Sequence, residues 1–305
     1  DEGVHFEPPV GIGMRRLKII DLEGGHQPMA NEDGSLWIVF NGEIYNYRQL
    51  RRDLEKRGHT FVTASDTEVI LHLFEEEDTE CFHQLLGMFA IALWDRRSMR
   101  LVLARDRLGK KPLFYAKSDD GLTFGSELSV VLQDETIPTE VDERAIDMYL
   151  SFLFVPQPHT ALRAVRKLPA GTHAVYQDGR FEVRSYWSVP AIRPHNPPRS
   201  AEQLEEEVDG LIADAVRDRL VADVPLGAFL SGGLDSSLIT AYMRREAGDV
   251  RTFAIGFEEG SFNELGFARQ VADVLGTQHE EHTVTYDVRD LVPDLLDHFG
   301  EPFAD

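Results

Sequence analysis

The chain has 305 residues, of which 42% are apolar and 28% are charged, and its formal net charge is −22. This composition is typical of a soluble globular protein, and the length suits two domains. The negative charge argues against nucleic acid as a partner, and no apolar run is long enough to span a membrane. A single cysteine excludes an internal disulfide and, with an acidic start unlike a signal peptide, predicts a cytoplasmic location.

Residues 1–190 predict a first domain rich in short strands. Turn residues separate the β-prone runs, and only two helices are expected, over residues 46–57 and 66–76. Asp66 is the candidate N-cap of the second helix, whose apolar side chains repeat at helical spacing. The β-prone runs are "SLWIVFNGEIYNY", "GMFAIALWD", "MRLVLARD", "LFYAK" and "LTFGS".

A proline-rich stretch at 188–200, "SVPAIRPHNPPRS", ends this pattern, because proline removes a backbone donor and blocks helix formation. We assign residues 191–200 as a linker and residues 201–305 as a second domain. Helices and strands then alternate, from a long helix after residue 200 to a helix over 287–298. This order predicts a parallel sheet with right-handed crossovers, in which ligands bind at the carboxyl ends of the strands.

The segment "LGAFLSGGLDSSLIT" at 226–240 joins the first strand of this domain to a helix predicted from about Ser236. Gly232 and Gly233 allow a tight turn that a ligand can approach closely, and the serines and the helix N-terminus offer donors to an anion. Asp235 beside phosphates needs a cation between them, so we interpret it as a Mg²⁺ contact. The lysine of a Walker motif is absent from the loop. The candidate ATP residues of the loop are Ser231, Gly232, Gly233, Leu234, Asp235, Ser236 and Ser237.

This loop resembles the pyrophosphate loop of enzymes that split ATP between its α and β phosphates. Such enzymes transfer AMP to an acid and release pyrophosphate. The alternative is a glycine turn capped by serine, which is common in α/β proteins. The strand–loop–helix context and the match along the whole motif favour the pyrophosphate loop.

In the first domain, "VFNGEIYNY" at 39–47 has two interpretations. Alone, its Asn-Gly pair favours the tip of a β-hairpin. Together with the pyrophosphate loop and five further runs, it closely resembles the glutamine-dependent asparagine synthetases, in the expected order and over nearly the whole chain. Those runs are "RRLKIIDLEGGHQPM", "ASDTEVIL", "GMFAIALWD", "LARDRLGKKPLFYA" and "FGSEL".

The resemblance implies a fold for each domain. The first would be an N-terminal-nucleophile glutaminase of layered α/β/β/α architecture, which supplies ammonia. The second would be a parallel-sheet synthetase domain of the adenine-nucleotide α-hydrolase type, an ATP pyrophosphatase.

The resemblance also implies roles for individual residues of the glutaminase domain. Asn41 and the Gly42 N–H correspond to the oxyanion hole that stabilises the tetrahedral intermediate. Arg16 corresponds to the clamp on the α-carboxylate of glutamine, and Glu43 and Asp66 to contacts with its ammonium and amide groups. The alternatives are a surface arginine, a strand-end glutamate and a helix N-cap.

On the synthetase side, four strand-end residues correspond to the positions that receive adenine: Phe229, Leu230, Ile255 and Gly256. Backbone groups would make part of these contacts. For the large apolar residues of this set we also expect a position in the hydrophobic core, whatever their role.

The nucleophile of the family is a cysteine at the mature N-terminus, and in relatives it precedes a "DEG" like the one at residues 1–3. A second acidic motif for the Mg²⁺–pyrophosphate site is expected beyond residue 305. The sequence is therefore expected to be a fragment that does not hydrolyse glutamine and binds ATP weakly. Cys81 is expected to be structural, because neighbouring carboxylates raise its pKa and it lies on an apolar face beside Leu85.

These observations predict an ATP-dependent amidotransferase that uses ATP, Mg²⁺, glutamine and a carboxylic acid, with aspartate as the default acceptor. A homodimeric assembly is left open. One alternative keeps the architecture and changes the acceptor to an amino-sugar or peptide acid, or to the precursor of a β-lactam ring. The other is a non-catalytic scaffold that has lost the nucleophile.

Overall fold

The computed structural model describes residues 1–17, 19–192, 199–257, 263–285, 292–293, 295 and 298–303. The chain divides into two compact units. Unit 1 comprises Asp1–Val189 together with 289–305, and unit 2 comprises Pro190–Val288. Most of the helix expected over 287–298 lies outside the described residues. Within the described part of the chain, no helix combines the length and the apolar character that a membrane span requires.

The end of the chain differs from the expected division, which placed everything after residue 200 in the second domain. The Glu301 carboxylate pairs with Lys167, and its Oε2 accepts a hydrogen bond of 3.3 Å from the Ala161 N–H. These contacts attach the described residues near Glu301 to unit 1.

Unit 1 contains short strands, α-helices and a 3₁₀ turn at Asp78–His83. The helices predicted over 46–57 and 66–76 are present as α1 and α2. The strands are β1 (Glu2–Glu7), β2 (Val10–Arg15), β3 (Met29–Ala30), β4 (Leu36–Ile44), β5 (Gly87–Asp95), β6 (Arg100–Arg105), β7 (Phe114–Lys117), β8 (Leu122–Gly125), β9 (Val165–Lys167), β10 (Thr172–Gln177) and β11 (Arg180–Ser185). The helices are α1 (Tyr47–Lys56), α2 (Asp66–Glu77), α3 (Leu128–Val131) and α4 (Glu143–Phe152). Helices α3 and α4 were not predicted from the sequence.

Two antiparallel sheets form the centre of unit 1. The larger has the order β11-β10-β6-β5-β4-β3, the smaller has the order β8-β7-β9, and β1 pairs with β2 as a separate ribbon. Helix α2 packs against β4 of the larger sheet. The side chains of Val39, Trp94 and Leu103 in the larger sheet form one apolar cluster with Phe124 of the smaller sheet. Helix α3 covers the smaller sheet. The order is helix, sheet, sheet, helix, which confirms the α/β/β/α prediction.

Strand β4 runs straight through the Asn-Gly pair, so the hairpin interpretation of "VFNGEIYNY" is wrong. Asn41 lies opposite Ala90 and Gly42 lies opposite Phe89 in an unbroken antiparallel register with β5. The buried, mostly apolar residues of both strands favour continued pairing over a turn at this point.

Helix α2 begins at Asp66, one residue before the start that an N-cap at Asp66 would imply. The Ser65 side chain accepts from the Thr67 N–H at 3.2 Å and is the N-cap, so the assignment of Asp66 as the cap is wrong. Asp66 is the first helical residue, and its carboxylate faces β4 instead.

Unit 2 has a parallel sheet of order β12-β13-β14, as predicted from the alternating pattern. A capping box at Ser200 and Gln203 starts its first helix. The elements are α5 (Ala201–Arg219), β12 (Gly227–Phe229), α6 (Leu234–Ala247), β13 (Arg251–Phe257), α7 (Leu265–Leu275) and β14 (Gln278–Val284).

Burial alternates along this sheet. Leu230 and Ala254 are buried against Ala268 and Ala272 of α7. Phe229 and Ile255 are 77% and 50% exposed. The expectation that Phe229 and Ile255 lie in the core is therefore wrong, because they alternate with the residues that pack on α7 and stay exposed among the described residues of unit 2.

Candidate functional sites

A cavity of about 1320 Å³ opens in unit 1 beside β4. Strand β2, the segment that follows it and the end of β8 complete its walls. All of the residues predicted to contact glutamine line it: Arg16, Asn41, Gly42, Glu43 and Asp66. The structure thus brings together side chains that lie up to 50 positions apart in the sequence.

Backbone N–H groups along one edge of β4 point towards this cavity. Strand β3 pairs with β4 at Trp37 and Ile38, and among the described residues no strand pairs with that edge beyond them. The Phe40 N–H donates to Gln27 Oε1 at 2.7 Å, and the Ile44 N–H donates to Asp66 Oδ2 at 2.9 Å. Because N–H direction alternates along a strand, Gly42 directs its N–H to the same edge, midway between these two side-chain acceptors.

The β4 and β5 backbones approach each other so closely beside the cavity that only glycine fits. A Cβ on Gly42 would lie 2.0 Å from the carbonyl oxygen of Met88. A Cβ on Gly87 would lie 2.2 Å from the carbonyl oxygen of Glu43. The glycines therefore fix the path of the backbone that presents the Gly42 N–H.

Asn41 is oriented from the opposite side of the cavity. Its Nδ2 donates to Ser126 Oγ at 3.3 Å, and Ser126 also lines the cavity. Glu43 lies two residues along β4 and also lines the cavity.

Arg16 is held in place by backbone carbonyls. Its Nη1 donates to the Gly25 carbonyl, and its Nη2 donates to the Ile20 carbonyl at 2.6 Å. Burial lowers the pKa of the guanidinium, although the charges of Asp66 and Asp21 oppose that shift. A guanidinium has five N–H donors, so these two bonds leave donors for an anionic ligand.

Asp66 is the buried acid of the cavity. Burial raises its pKa from 3.8 to about 6, and the Ile44 N–H and the Arg16 charge act in the opposite direction. Desolvation is therefore the dominant effect on this carboxyl group.

Cys81 lies in the 3₁₀ turn away from this cavity. It is fully buried next to the buried side chains of Phe82 and Leu85. Burial raises its pKa well above the ordinary value, and Glu77, Asp78 and Glu80 raise it further. A thiol in this state is a poor nucleophile, as expected for a structural cysteine.

In unit 2 the serine-glycine loop connects β12 to α6 at the carboxyl ends of the parallel strands. Ser231 Oγ lies 3.0 Å from Ser236 Oγ and accepts from the Gly233 N–H at 3.3 Å. The Ser237 hydroxyl donates to the Gly233 carbonyl at 2.6 Å. These bonds close the loop into a compact turn with its hydroxyls gathered on one side.

Glycine is required at position 232 of this loop. Gly232 has a φ of +81°, and a Cβ there would lie 2.4 Å from the Phe267 backbone. A Cβ on Gly256 would lie 2.4 Å from Leu265 Cδ1. The loop therefore packs directly on the start of α7.

Helix α6 begins at Leu234, two residues before the predicted start. Its first helical bond runs from the Ser237 N–H to the Gly233 carbonyl, so the preceding N–H groups have no intrahelical acceptor. Asp235 stands in this first turn, where a negative charge interacts favourably with the helix dipole.

An apolar cavity of about 730 Å³ lies between α5, α6 and β12. Phe229, Asp235 and Ser236 are the predicted ATP residues that line it. Leu230 is buried beneath the loop, whereas Leu234 is exposed. The other predicted residues, Ser231, Gly232, Gly233, Ser237, Ile255 and Gly256, do not line this cavity, although all of them lie in the loop or near the carboxyl end of β13.

Comparison with known proteins agrees with this two-part description. The sequence profile of the family described as "Glutamine amidotransferase domain" matches residues 1–187, and the profile described as "Asparagine synthase" matches residues 207–305. The chain belongs to the glutamine-hydrolysing asparagine synthetase family.

Two Bacillus subtilis members of the asparagine synthetase family show what share of a relative's length this chain covers. Asparagine synthetase [glutamine-hydrolyzing] 1 is 38% identical over 100% of this chain, which covers 48% of that protein. Asparagine synthetase [glutamine-hydrolyzing] 3 is 34% identical over 99% of this chain, which covers 50% of it. The chain thus spans about half the length of these relatives.

Solved structures give a weaker likeness. A Bacillus subtilis glutamine phosphoribosylpyrophosphate amidotransferase, complexed with ADP and GMP, is 16% identical with a TM-score of 0.38. The alignment covers 87% of this chain and 53% of that one. This level of similarity is too low to support an argument about the site.

Two cavity residues and one supporting residue of this asparagine synthetase-family chain had no role assigned from the sequence. Gln27 binds the Phe40 N–H and the Thr67 hydroxyl, and Ser126 binds Asn41. The Asp106 carboxylate accepts from the Phe89 N–H at 3.1 Å and holds the turn after β6. These residues lie in the runs "GGHQPM", "FGSEL" and "LARDRLGKK", which carried the family resemblance and were the available signal.

Proposed function

We propose that the chain contains the glutamine and ATP sites of an ATP-dependent amidotransferase. In the proposed reaction a carboxylate, by default that of aspartate, attacks the α-phosphate of ATP and displaces pyrophosphate. Ammonia from glutamine then attacks the acyl-adenylate and displaces AMP, which yields the amide. The observation that supports the proposal is the set of cavity residues around the Gly42 N–H, which offers donors for an oxyanion and a guanidinium for a carboxylate.

In unit 1, the Gly42 N–H and the Asn41 amide would donate to the oxyanion that forms when the glutamine amide is attacked. Preorganised donors at a developing negative charge are among the strongest contributions to catalysis. The bond from Asn41 to Ser126 and the close contact of Gly42 with β5 hold both donors before substrate arrives. Preorganisation of this kind avoids reorganisation at the moment of reaction.

Arg16 and the acids would recognise the glutamine backbone. Arg16 can place its remaining donors on the α-carboxylate in the bidentate manner that suits a guanidinium. Glu43 and Asp66 would accept from the ammonium and amide groups. Because the pKa of Asp66 is about 6, its carboxylate is mostly ionised at neutral pH and can accept.

In unit 2, the serine hydroxyls and the first-turn N–H groups of α6 would bind the phosphates of ATP. These donors suit phosphate oxygens, and the turn leaves the backbone accessible. Asp235 would contact Mg²⁺, which proteins commonly hold through one or two carboxylates together with substrate phosphates. Phe229, Leu230, Ile255 and Gly256 would receive the adenine, with the exposed rims of Phe229 and Ile255 offering apolar surface.

Pyrophosphate release tests this function. The complete gene product would be incubated with ATP, Mg²⁺ and glutamine and a panel of acids that includes aspartate, amino-sugar acids and peptide acids. Release with aspartate supports an asparagine synthetase, and release with another acid supports the same mechanism with a different acceptor. If no acid in the panel gives pyrophosphate release, the proposal is contradicted and a non-catalytic scaffold is favoured.

A further inference from the structure

A second cluster of chemically active side chains lies on the outer helical layer of unit 1. His72 and Glu75 lie on α2, and His59 lies in the segment between α1 and α2. His59 Nδ1 is 3.2 Å from His72 Nδ1, and His72 Nδ1 is 3.0 Å from Glu75 Oε2. The third edge, from His59 Nδ1 to Glu75 Oε2, is 3.7 Å. Two imidazole nitrogens and one carboxylate oxygen therefore converge on one point.

We propose that His59, His72 and Glu75 bind a divalent transition-metal ion such as Zn²⁺. Ligand atoms that surround zinc tetrahedrally at 2.0–2.1 Å lie about 3.3–3.4 Å from one another. The three measured edges, from 3.0 to 3.7 Å, bracket this value. Two imidazoles and a carboxylate form a ligand set that zinc uses with water in the fourth position.

The groups around the cluster resemble the outer shell of a metal site. A histidine that ligates a metal usually directs its other nitrogen at a carboxylate, which fixes the ring orientation. His59 Nε2 lies 2.9 Å from Glu76 Oε1, and His72 Nε2 faces Glu68 Oε1 at 3.7 Å. His59 therefore meets this pattern, whereas the 3.7 Å separation at His72 Nε2 is longer than a hydrogen bond.

The carboxylate ligand is oriented as well. Asn31 Nδ2 donates to Glu75 Oε1 at 2.7 Å, which leaves Oε2 directed at the two imidazoles. Glu32 Oε1 lies 3.9 Å from His72 Nε2 and adds to the negative charge around the site. Arg57 pairs with Glu76 and offsets part of this charge, so a cation at the convergence point is favoured by the carboxylates of Glu75 and Glu32.

A single proton is the rival occupant. It could sit on His72 Nδ1 and be shared between Glu75 Oε2 and His59 Nδ1, with His72 as a buried imidazolium. That arrangement leaves His72 Nε2, which is buried, without an atom in hydrogen-bond reach among the described residues. A metal at Nδ1 has the same consequence for Nε2, so binding measurements must decide between the two occupants.

Access and competition both favour metal uptake at this cluster. The side chains of His59 and Glu75 are 18% and 23% exposed, so an ion and a water ligand can reach the site from solvent. Cys81 is buried with a raised pKa and does not compete for the ion in the folded state. A bound ion would tie the segment after α1 to α2 and stabilise unit 1.

Titration calorimetry with zinc chloride on the metal-stripped chain tests the proposal. We expect one ion per chain in the wild type, and binding weakened more than about 100-fold in His59→Asn and in Glu75→Gln. Replacing the outer-shell acid in Glu76→Gln should weaken binding about 10- to 100-fold. The matched control His83→Asn changes an exposed histidine outside the cluster and should bind as the wild type does.

Cobalt substitution and thermal unfolding give independent readouts. Co²⁺ should produce the intense visible absorption of a tetrahedral site in the wild type and in His83→Asn, but not in His59→Asn. Zinc should raise the unfolding temperature of the same two proteins and leave His59→Asn unchanged. Absence of stoichiometric binding in the wild type would overturn the proposal in favour of the proton. Equal zinc affinity in wild type, His59→Asn and Glu75→Gln would also overturn it.

Discussion

Replacing Asp66 by asparagine should stabilise unit 1 at neutral pH. The buried carboxylate loses hydration, and the Ile44 N–H and the Arg16 charge compensate only in part, which is why its pKa rises to about 6. Asparagine keeps the shape and still offers an oxygen to the Ile44 N–H, but it carries no charge. The substitution therefore isolates the cost of burying the ionised acid.

The size and the sign follow from the pKa. A rise from 3.8 to about 6 corresponds to about 3 kcal/mol in the free energy of unfolding. Because the folded-state pKa is above the unfolded one, the folded state binds the proton more tightly. Below pH 3.8 the acid is protonated in both states, so the wild type and Asp66→Asn have similar stability. As the pH rises from 3.8 through about 6 the wild type loses this contribution, and above that pH it is less stable than Asp66→Asn by about 3 kcal/mol.

Urea unfolding between pH 4.5 and 8, followed by tryptophan fluorescence, measures this difference. All three tryptophans lie in unit 1, so the signal follows this unit alone. Subtracting the wild-type curve from the Asp66→Asn curve removes the titration of other groups. Asp120→Asn, in an exposed turn, is the matched control and should leave the profile unchanged. A difference that is independent of pH, or that favours the wild type at pH 8, would refute the argument that desolvation dominates at Asp66.

Three further substitutions test the sites. Gly42→Ala should destabilise unit 1 by at least about 1–3 kcal/mol in urea unfolding, because its Cβ would meet the Met88 carbonyl, whereas Gly121→Ala, where nothing lies within 4 Å, should cost little. Asn41→Ala in the complete gene product should lower glutamine turnover about 10²- to 10³-fold in an ammonia-release assay, and ammonia-dependent synthesis should persist. Asp235→Ala should abolish pyrophosphate release but spare glutamine hydrolysis, and equal loss of both activities would contradict separate sites.

The strand and helix pattern could be predicted because it depends on local periodicity. Helices α1 and α2, the parallel sheet of unit 2 and the layered order of unit 1 all follow from apolar spacing and from the family resemblance. The exact first residue of a helix was harder to predict from the sequence, because adjacent polar residues can each occupy the N-cap position. Ser65 and Asp66 both suit the N-cap position, and only the position of the Asp66 carboxylate beside Ile44 decides between them.

The site could be predicted only in part, because its supporting contacts span long stretches of chain. Five residues that line the cavity beside β4 were named from motifs, yet the bond between Asn41 and Ser126 joins positions 85 residues apart. No local pattern encodes such a contact. The exposure of Phe229 and Ile255 was mispredicted for a similar reason. Whether a strand residue is buried depends on which other elements pack against its face of the sheet, and the sequence of the strand does not encode that.

Because Cys81 is buried, the rate at which its thiol is chemically modified reports local or global unfolding of unit 1. A thiol reagent added to the native protein can modify this sulfur only in molecules whose unit 1 has transiently opened, because the native thiol is buried and protonated. With the only cysteine of the chain in unit 1, every labelled molecule records one such event. The labelling rate, divided by the rate for a free thiol, gives the equilibrium constant for opening under native conditions.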